Sequence, residues 1–181
     1  NPFAQFIKGT AEIRYNYALG HKQYLVGRLM AGAIYSYGNA RTSPYNEQFY
    51  IGGANSIRAF TIRSIGPGRY YQNSDNKYAY IDRTGDLKFE ANLEYRFPIL
   101  GDLHGATFLD SGNIWLIRND PDRPGGQLKW GSFLKDLALG TGFGLRYDLT
   151  FIVIRFDVGI GLHLPYDTGK KGYYNIPKFK D

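Results

Sequence analysis

The side chains best placed to do chemistry lie in one unusual stretch, YIGGANSIRAFTIRSIGPGRYY, Tyr50 to Tyr71. It holds four glycines and a proline, yet Ile, Phe and Tyr recur through it, and Arg58 and Arg63 stand among apolar neighbours. A surface loop has little reason to be this apolar, and a core strand little reason to be this glycine-rich and charged. A guanidinium stays ionised throughout the physiological pH range. The question the stretch poses is what Arg58 points at.

Reaction machinery is not apparent elsewhere. The three histidines, His21, His104 and His163, are scattered without metal-ligand spacing. No G-x-S-x-G nucleophile elbow occurs, and GTGFG at 140–144 lies inside a strand pattern, unlike a phosphate loop that opens a helix. DPDRPGG at 120–126 lacks the later ligands of a calcium loop and reads as an exposed turn. Cysteine is absent, so disulfides and thiolate metal sites are excluded. The expectation is a protein that is not an enzyme and carries no cofactor or metal. Its net charge of +6 comes from basic residues spread along the chain, which reads as solvated faces with no nucleic-acid partner.

The elements that must position Arg58 are strands. Glycine (23 residues), tyrosine (16) and phenylalanine (12) dominate a chain with a single methionine, a composition that favours strands over helices. In LKFEANLEYRF, Leu87, Phe89, Ala91, Leu93, Tyr95 and Phe97 alternate strictly with Lys88, Glu90, Asn92, Glu94 and Arg96. FAQFIKGTAEIRYNYAL repeats the pattern, with Ile7, Ala11, Ile13, Tyr15 and Tyr17 on one face. LALGTGFGLRYD sets Leu137, Leu139, Phe143, Leu145 and Tyr147 against glycines and charges. Ile152 to Leu164 reads as one apolar face opposite Arg155, Asp157, Gly159, Gly161 and His163. The segments His21–Gly38 and Leu103–Trp115 are less regular but strand-like, giving six strands and no helix.

Strand length separates the classes. Strands of a soluble domain average about 5–6 residues, whereas these run to roughly 11–16, as a tilted crossing of a bilayer requires. The polar faces mix glycine with charges of both signs, which suits a hydrated lumen. Tyr35, Tyr37, Trp115, Tyr147 and Tyr166 fall where interfacial aromatics belong. Tight turns at Leu19–His21, Leu100–Asp102 and Tyr147–Thr150 alternate with long connections at Asn39–Gly85 and Leu116–Lys135. That asymmetry describes an antiparallel transmembrane β-barrel. Six strands are too few to enclose a lumen, and the chain stops at NIPKFKD without a closing strand. Residues 1–181 are therefore expected to be the C-terminal portion of a larger barrel.

Three motifs in order, FYIGGANSIRAFTIRSIGP (Phe49 to Pro67), ANLEYRFPI (Ala91 to Ile99) and FLDSGNIW (Phe108 to Trp115), resemble the C-terminal part of the BamA/TamA-type outer-membrane protein assembly barrels. The resemblance covers nearly the whole chain and implies a sixteen-stranded barrel of the outer membrane, of which about six strands are present. It implies that Gly52, Gly53, Ile57, Arg58, Ala59 and Phe60 belong to a loop folded back into the lumen, with Ile57, Phe60 and Ile62 packed away from solvent. The loop arginine is then expected to contact wall carboxylates at Glu94 and Asp110. Alternation places Glu94 on the polar face independently, while the phase around Asp110 stays open. Ala59 stands where that family has glycine, so this position is expected not to need positive φ.

The implied activity is insertion or assembly of outer-membrane proteins, or translocation of a client, without nucleotide hydrolysis. The implied partners are the outer-membrane bilayer, a client protein, preceding POTRA domains and accessory assembly proteins. In the resemblance, first and last strands that pair weakly form a lateral gate for a client strand. A transport pore (partner-secretion exporter or passive channel) and a membrane anchor for a fused enzyme are the alternatives.

Overall fold

The computed structural model describes residues 4–40, 42–71, 83–166 and 172–173. The NIPKFKD terminus lies outside these residues. Six strands run in chain order: β1 Gln5–Gly20, β2 Gln23–Tyr37, β3 Leu87–Leu100, β4 Leu103–Trp115, β5 Ala138–Asp148 and β6 Val153–His163. They form one sheet in the order β1-β2-β3-β4-β5-β6, every neighbour antiparallel. The three tight turns and two long connections alternate as the sequence implies. Lys22 (φ 54°), Gly101 (φ 56°) and Thr150 (φ 70°) supply the left-handed residues of the tight turns.

The register sorts the side chains into two faces. Arg28 sits opposite Asn92 and Asn92 opposite Asp110, so alternate positions of β2, β3 and β4 share a polar inner face. The polarity of burial is the reverse of a soluble sandwich. Ile13 and Phe156 are 69% and 64% exposed, whereas Glu90 and Asp110 are fully buried. In water this inversion would be costly on both counts. In a bilayer the apolar face meets lipid, and the ladder satisfies the backbone polar groups. Among the described residues, no helix is long and apolar enough to cross a membrane, so any crossing must be made by strands.

The buried apolar core lies on the inner side of the sheet. Ile34 of β2, Ile114 of β4 and Ala138 of β5 pack with Phe49, Ile51, Ile57 and Ile65 of the β2–β3 connection. A single sheet cannot bury an apolar cluster alone; here the connection supplies the second layer. Truncating Ile57, which is fully buried, to alanine is expected to cost about 2–5 kcal/mol of local stability. Faster hydrogen exchange in residues 50–66 of Ile57→Ala, with unchanged exchange in β1, is the corresponding readout.

Two details depart from the sequence reading. The β4–β5 connection contains a short 3₁₀ helix, η1, Trp130–Asp136. About two turns of 3₁₀ helix are too short to show a helical period; its aromatics hold it by packing on the sheet. Phe133 lies 5.2 Å from the Trp115 ring and 5.4 Å from that of Phe89. Second, the apolar face read from Ile152 to Leu164 is interrupted. A bulge sets His163 opposite Leu139 and Gly161 opposite Gly140. The extra residue shifts the phase, and Leu164 packs against the inner core.

Candidate functional site: an ion-locked loop on the inner wall

The stretch around Arg58 forms a narrow hairpin. Gly53 N–H donates to Phe60 O at 2.7 Å, and Arg63 N–H to Ile51 O at 2.9 Å. Gly52 and Gly53 adopt φ of 105° and 96°. A Cβ on Gly52 would meet Thr61 O at 2.1 Å, so only glycine fits this turn. Ala59 is not among the positive-φ residues, and its methyl fills a recess. Cβ atoms at Gly140 and Gly159 would lie 2.4 Å from Ala59 Cβ and 2.7 Å from Ala59 Cα. The wall glycines of β5 and β6 thus form a seat for the hairpin tip.

Arg58 reaches from this tip into the wall. Its Nε donates to Asp110 Oδ2 and its Nη2 to Asp110 Oδ1, both at 2.8 Å, a bidentate fork. Its backbone N–H donates to the same Oδ2 at 3.0 Å. Nη1 pairs with Glu94, and the guanidinium carbon sits 3.6 Å from the Phe108 ring centre, a cation–π contact. Burial works against the charge on Arg58, but the hydrogen bonds and charge of Asp110, then of Glu94, outweigh it and raise its pKa above the ordinary arginine range. The three ionised groups are nearly water-free, with side chains 8% (Arg58), 8% (Glu94) and 0% (Asp110) exposed.

The wall charges are themselves paired. Asn92 Nδ2 donates to Asp110 at 2.9 Å and to Ser56 O of the hairpin at 2.8 Å. Glu94 also accepts from Arg96 Nε at 2.6 Å and from Arg146 Nη2 at 3.1 Å. Arg146 pairs in turn with Asp157 at 2.7 Å. On the β2 side, Arg28 contacts Glu12 (3.0 Å), Glu90 (3.3 Å) and Asn55 O (3.1 Å), while Ser56 bonds Glu90. Arg155 of β6 donates to Ala54 O at 2.8 Å. The hairpin is therefore held from β2, β3, β4 and β6 together.

Arg58, Glu94 and Asp110 converge in the structure, Gly52 and Gly53 form the turn, and Ile57 and Phe60 face the inner core. Ile62 is a correction: it is 63% exposed. Its side chain lies beside Gly53. Arg63 turns to the rings of Tyr45 and Tyr50, at 4.7 and 4.9 Å. Sequence reasoning missed Arg28, Asn92, Arg155 and Gly159 as loop contacts, and Arg146 as a wall partner of Glu94. The period-2 face shared with Glu94 marks Asn92, but nothing local marks the others as loop-facing. No group of three or more His, Asp or Glu among the described residues is placed to hold a metal ion. The assembly has the chemistry of a latch, in which a fixed cation and two carboxylates clamp a loop to a wall.

Comparison with known proteins agrees with this architecture. Residues 3–175 match the Omp85 superfamily domain. The outer membrane protein assembly factor BamA of Nitratidesulfovibrio vulgaris is 30% identical over 177 residues, 97% of this chain and 20% of that protein. The chloroplastic outer envelope protein 80 of Arabidopsis thaliana is 32% identical over 110 residues, 59% of this chain and 12% of that protein. The chain thus spans a fifth or less of these relatives. In structure it is similar to BamA from Haemophilus ducreyi lacking POTRA domains 1–3, with a TM-score of 0.63 at 18% identity, covering 87% of this chain and 32% of that one. The inverted faces, the inward hairpin and these matches lead to one conclusion: the chain belongs to the Omp85 superfamily, and its six strands are part of an integral outer-membrane wall.

Proposed function

We propose that this chain is the C-terminal portion of a BamA-type barrel that assists insertion and assembly of outer-membrane proteins, or translocation of a client, without nucleotide hydrolysis. The observation that carries this reading is the occupied inner face. Ile51, Ile57 and Ile65 of the loop are fully buried against the wall, and Arg58 clamps the tip to it. A passive pore needs a clear lumen, whereas an assembly barrel works at its lipid-facing edge and tolerates a filled one. Gly52, Gly53, Arg58, Glu94 and Asp110 act in this scheme as the latch that sets the loop's shape. POTRA domains, accessory assembly proteins and weakly paired gate strands elsewhere in the barrel would deliver a client strand to an open edge, whose unpaired backbone is costly in lipid.

The test is reconstitution of the full-length protein into liposomes without nucleotide, with an unfolded outer-membrane barrel as substrate. The substrate is expected to fold faster than in empty liposomes, while planar-bilayer recordings show low, intermittent conductance. Steady ohmic conductance with no acceleration would favour the transport-pore reading instead.

A further inference from the structure

The hairpin tip, Ala54 to Ser56, forms one side of a cavity of about 420 Å³ on the inner face. Among the described residues, its lining carries five guanidiniums, Arg14, Arg28, Arg58, Arg96 and Arg155, against the single carboxylate of Glu94. The cavity reaches toward the rim of the tight turns. Arg96 stands four residues before the end of β3, and Arg155 is the third residue of β6. In an outer-membrane barrel that rim is the periplasmic one.

A repeated local pattern gives these arginines their posture. On β1, β3 and β6 an arginine lies two positions from a carboxylate, as Glu12 and Arg14, Glu94 and Arg96, Arg155 and Asp157. A period of two puts both members on one face. In each pair the carboxylate engages Nε: Arg14 with Glu12, Arg96 with Glu94 at 2.6 Å, and Arg155 with Asp157 at 3.1 Å. The terminal Nη groups of Arg14 and Arg96 then have no hydrogen-bond acceptor among the described residues, and these side chains are 69% and 44% exposed. The carboxylates are already shared. Glu12 serves Arg14 and Arg28, Glu94 serves Arg58, Arg96 and Arg146, and Asp157 serves Arg146 and Arg155. With the fully buried Glu90 and Asp110 included, these six guanidiniums meet five carboxylates, and Lys88 also engages Glu90. The surplus is positive, and its exposed ends face the lumen.

We propose that this cavity is a docking site for an acidic segment of an extended polypeptide that enters the lumen from the tight-turn rim. A carboxylate meeting the free Nη groups of Arg14 or Arg96 gains charge-assisted hydrogen bonds from donors already oriented through Nε. Partial enclosure by the hairpin and the wall strengthens that attraction over its value in bulk water. The volume admits a few side chains and no folded domain, which suits Asp or Glu residues on an extended chain. An anionic lipid fits poorly, because the cavity opens on the polar face of the sheet, where no apolar surface receives an acyl chain. The site rests on the wall and the latched hairpin and is independent of the assembly reading.

The experiment uses the full-length protein in phosphatidylcholine nanodiscs with fluorescein-labelled hexaglutamate, and labelled hexaglutamine as its neutral counterpart, binding being read by fluorescence anisotropy. Wild type is expected to bind hexaglutamate, less tightly as salt rises, and to leave hexaglutamine free. Arg14→Gln/Arg96→Gln should weaken hexaglutamate binding about tenfold or more. Arg14→Gln alone should weaken it by a smaller factor; Arg14 pairs with Glu12 and with no hairpin residue, so this variant leaves the latch whole. Lys129→Gln, in the long connection at the opposite rim, should change nothing. Protease resistance of residues 50–66 verifies the latched hairpin in each variant. Unchanged hexaglutamate affinity in both arginine variants, an equal loss in Lys129→Gln, or equal binding of hexaglutamine would each overturn the proposal. Displacement of hexaglutamate by equimolar inorganic phosphate or short-chain phosphatidylglycerol would assign the cavity to a free ion or a lipid headgroup, and would overturn it as well.

Discussion

Arg58→Ala is expected to release the β2–β3 hairpin from the wall and expose it to protease in the otherwise folded protein. The substitution removes the fork to Asp110, the pair with Glu94 and the ring contact with Phe108 at one stroke. It also strands Asp110, a fully buried carboxylate left with Asn92 and the Arg58 backbone N–H as donors. Breaking a buried ion pair from one side costs about 3–5 kcal/mol. Glu94 softens the loss, because Arg96 and Arg146 still hold it.

Asp110→Ala should behave similarly, and Arg58→Ala/Asp110→Ala should cost clearly less than the two single effects summed, since no carboxylate is then stranded. Arg58→Lys should recover only part of the loss, because an ammonium cannot make the two-pronged contact. Limited proteolysis of the full-length protein in bilayers, with cut sites mapped by mass spectrometry, reads the result. Wild-type resistance of residues 50–66 in Arg58→Ala would rule the latch out.

The second large effect requires no change of charge. Gly159→Val should displace the hairpin tip, because a Cβ at this position would lie 2.7 Å from Ala59 Cα and 2.9 Å from both Ala59 N and Arg58 O. These are backbone atoms, so no rotamer change relieves the clash. Overpacking of this kind costs about 1–3 kcal/mol. The same protease assay should find the loop open although Arg58, Glu94 and Asp110 are all intact. Gly27→Ala is the matched control. Its Cβ would meet nothing within 4 Å, and it should leave the loop protected. Equal protection in Gly159→Val and Gly27→Ala would show that the tip does not depend on its glycine seat.

Much of the wall was legible residue by residue. Leu87 to Phe97 alternates without a fault, and β3 runs through it. Glu94 could be placed on the inner face from that phase alone. Asp110 could not, because in GATFLDSGN the inward positions include Ala106, Phe108 and Gly112, an apolar set that blurs the polar side. Its direction follows only from the pairing of Asp110 with Asn92. The β6 bulge and helix η1 were hidden for a related reason: one is a single extra residue and the other a seven-residue helix, and packing decides both. Ile62 shows the limit from the other side. Its apolar character resembles that of Ile57, yet the hairpin turns one inward and leaves the other exposed.

The amino-acid order by itself determined the strands, their length, their turns and the presence of two chemically distinct faces, because these depend on a period of two between near neighbours. Which residues meet across the lumen was decided by the tertiary structure alone. Arg58 and Asp110 are 52 positions apart, and Ala59 meets Gly159 from a different strand again. Such meetings depend on register summed across several strands and on the path of one long connection. No local pattern carries that information, since a shift of one residue in any ladder would turn the same carboxylate toward lipid.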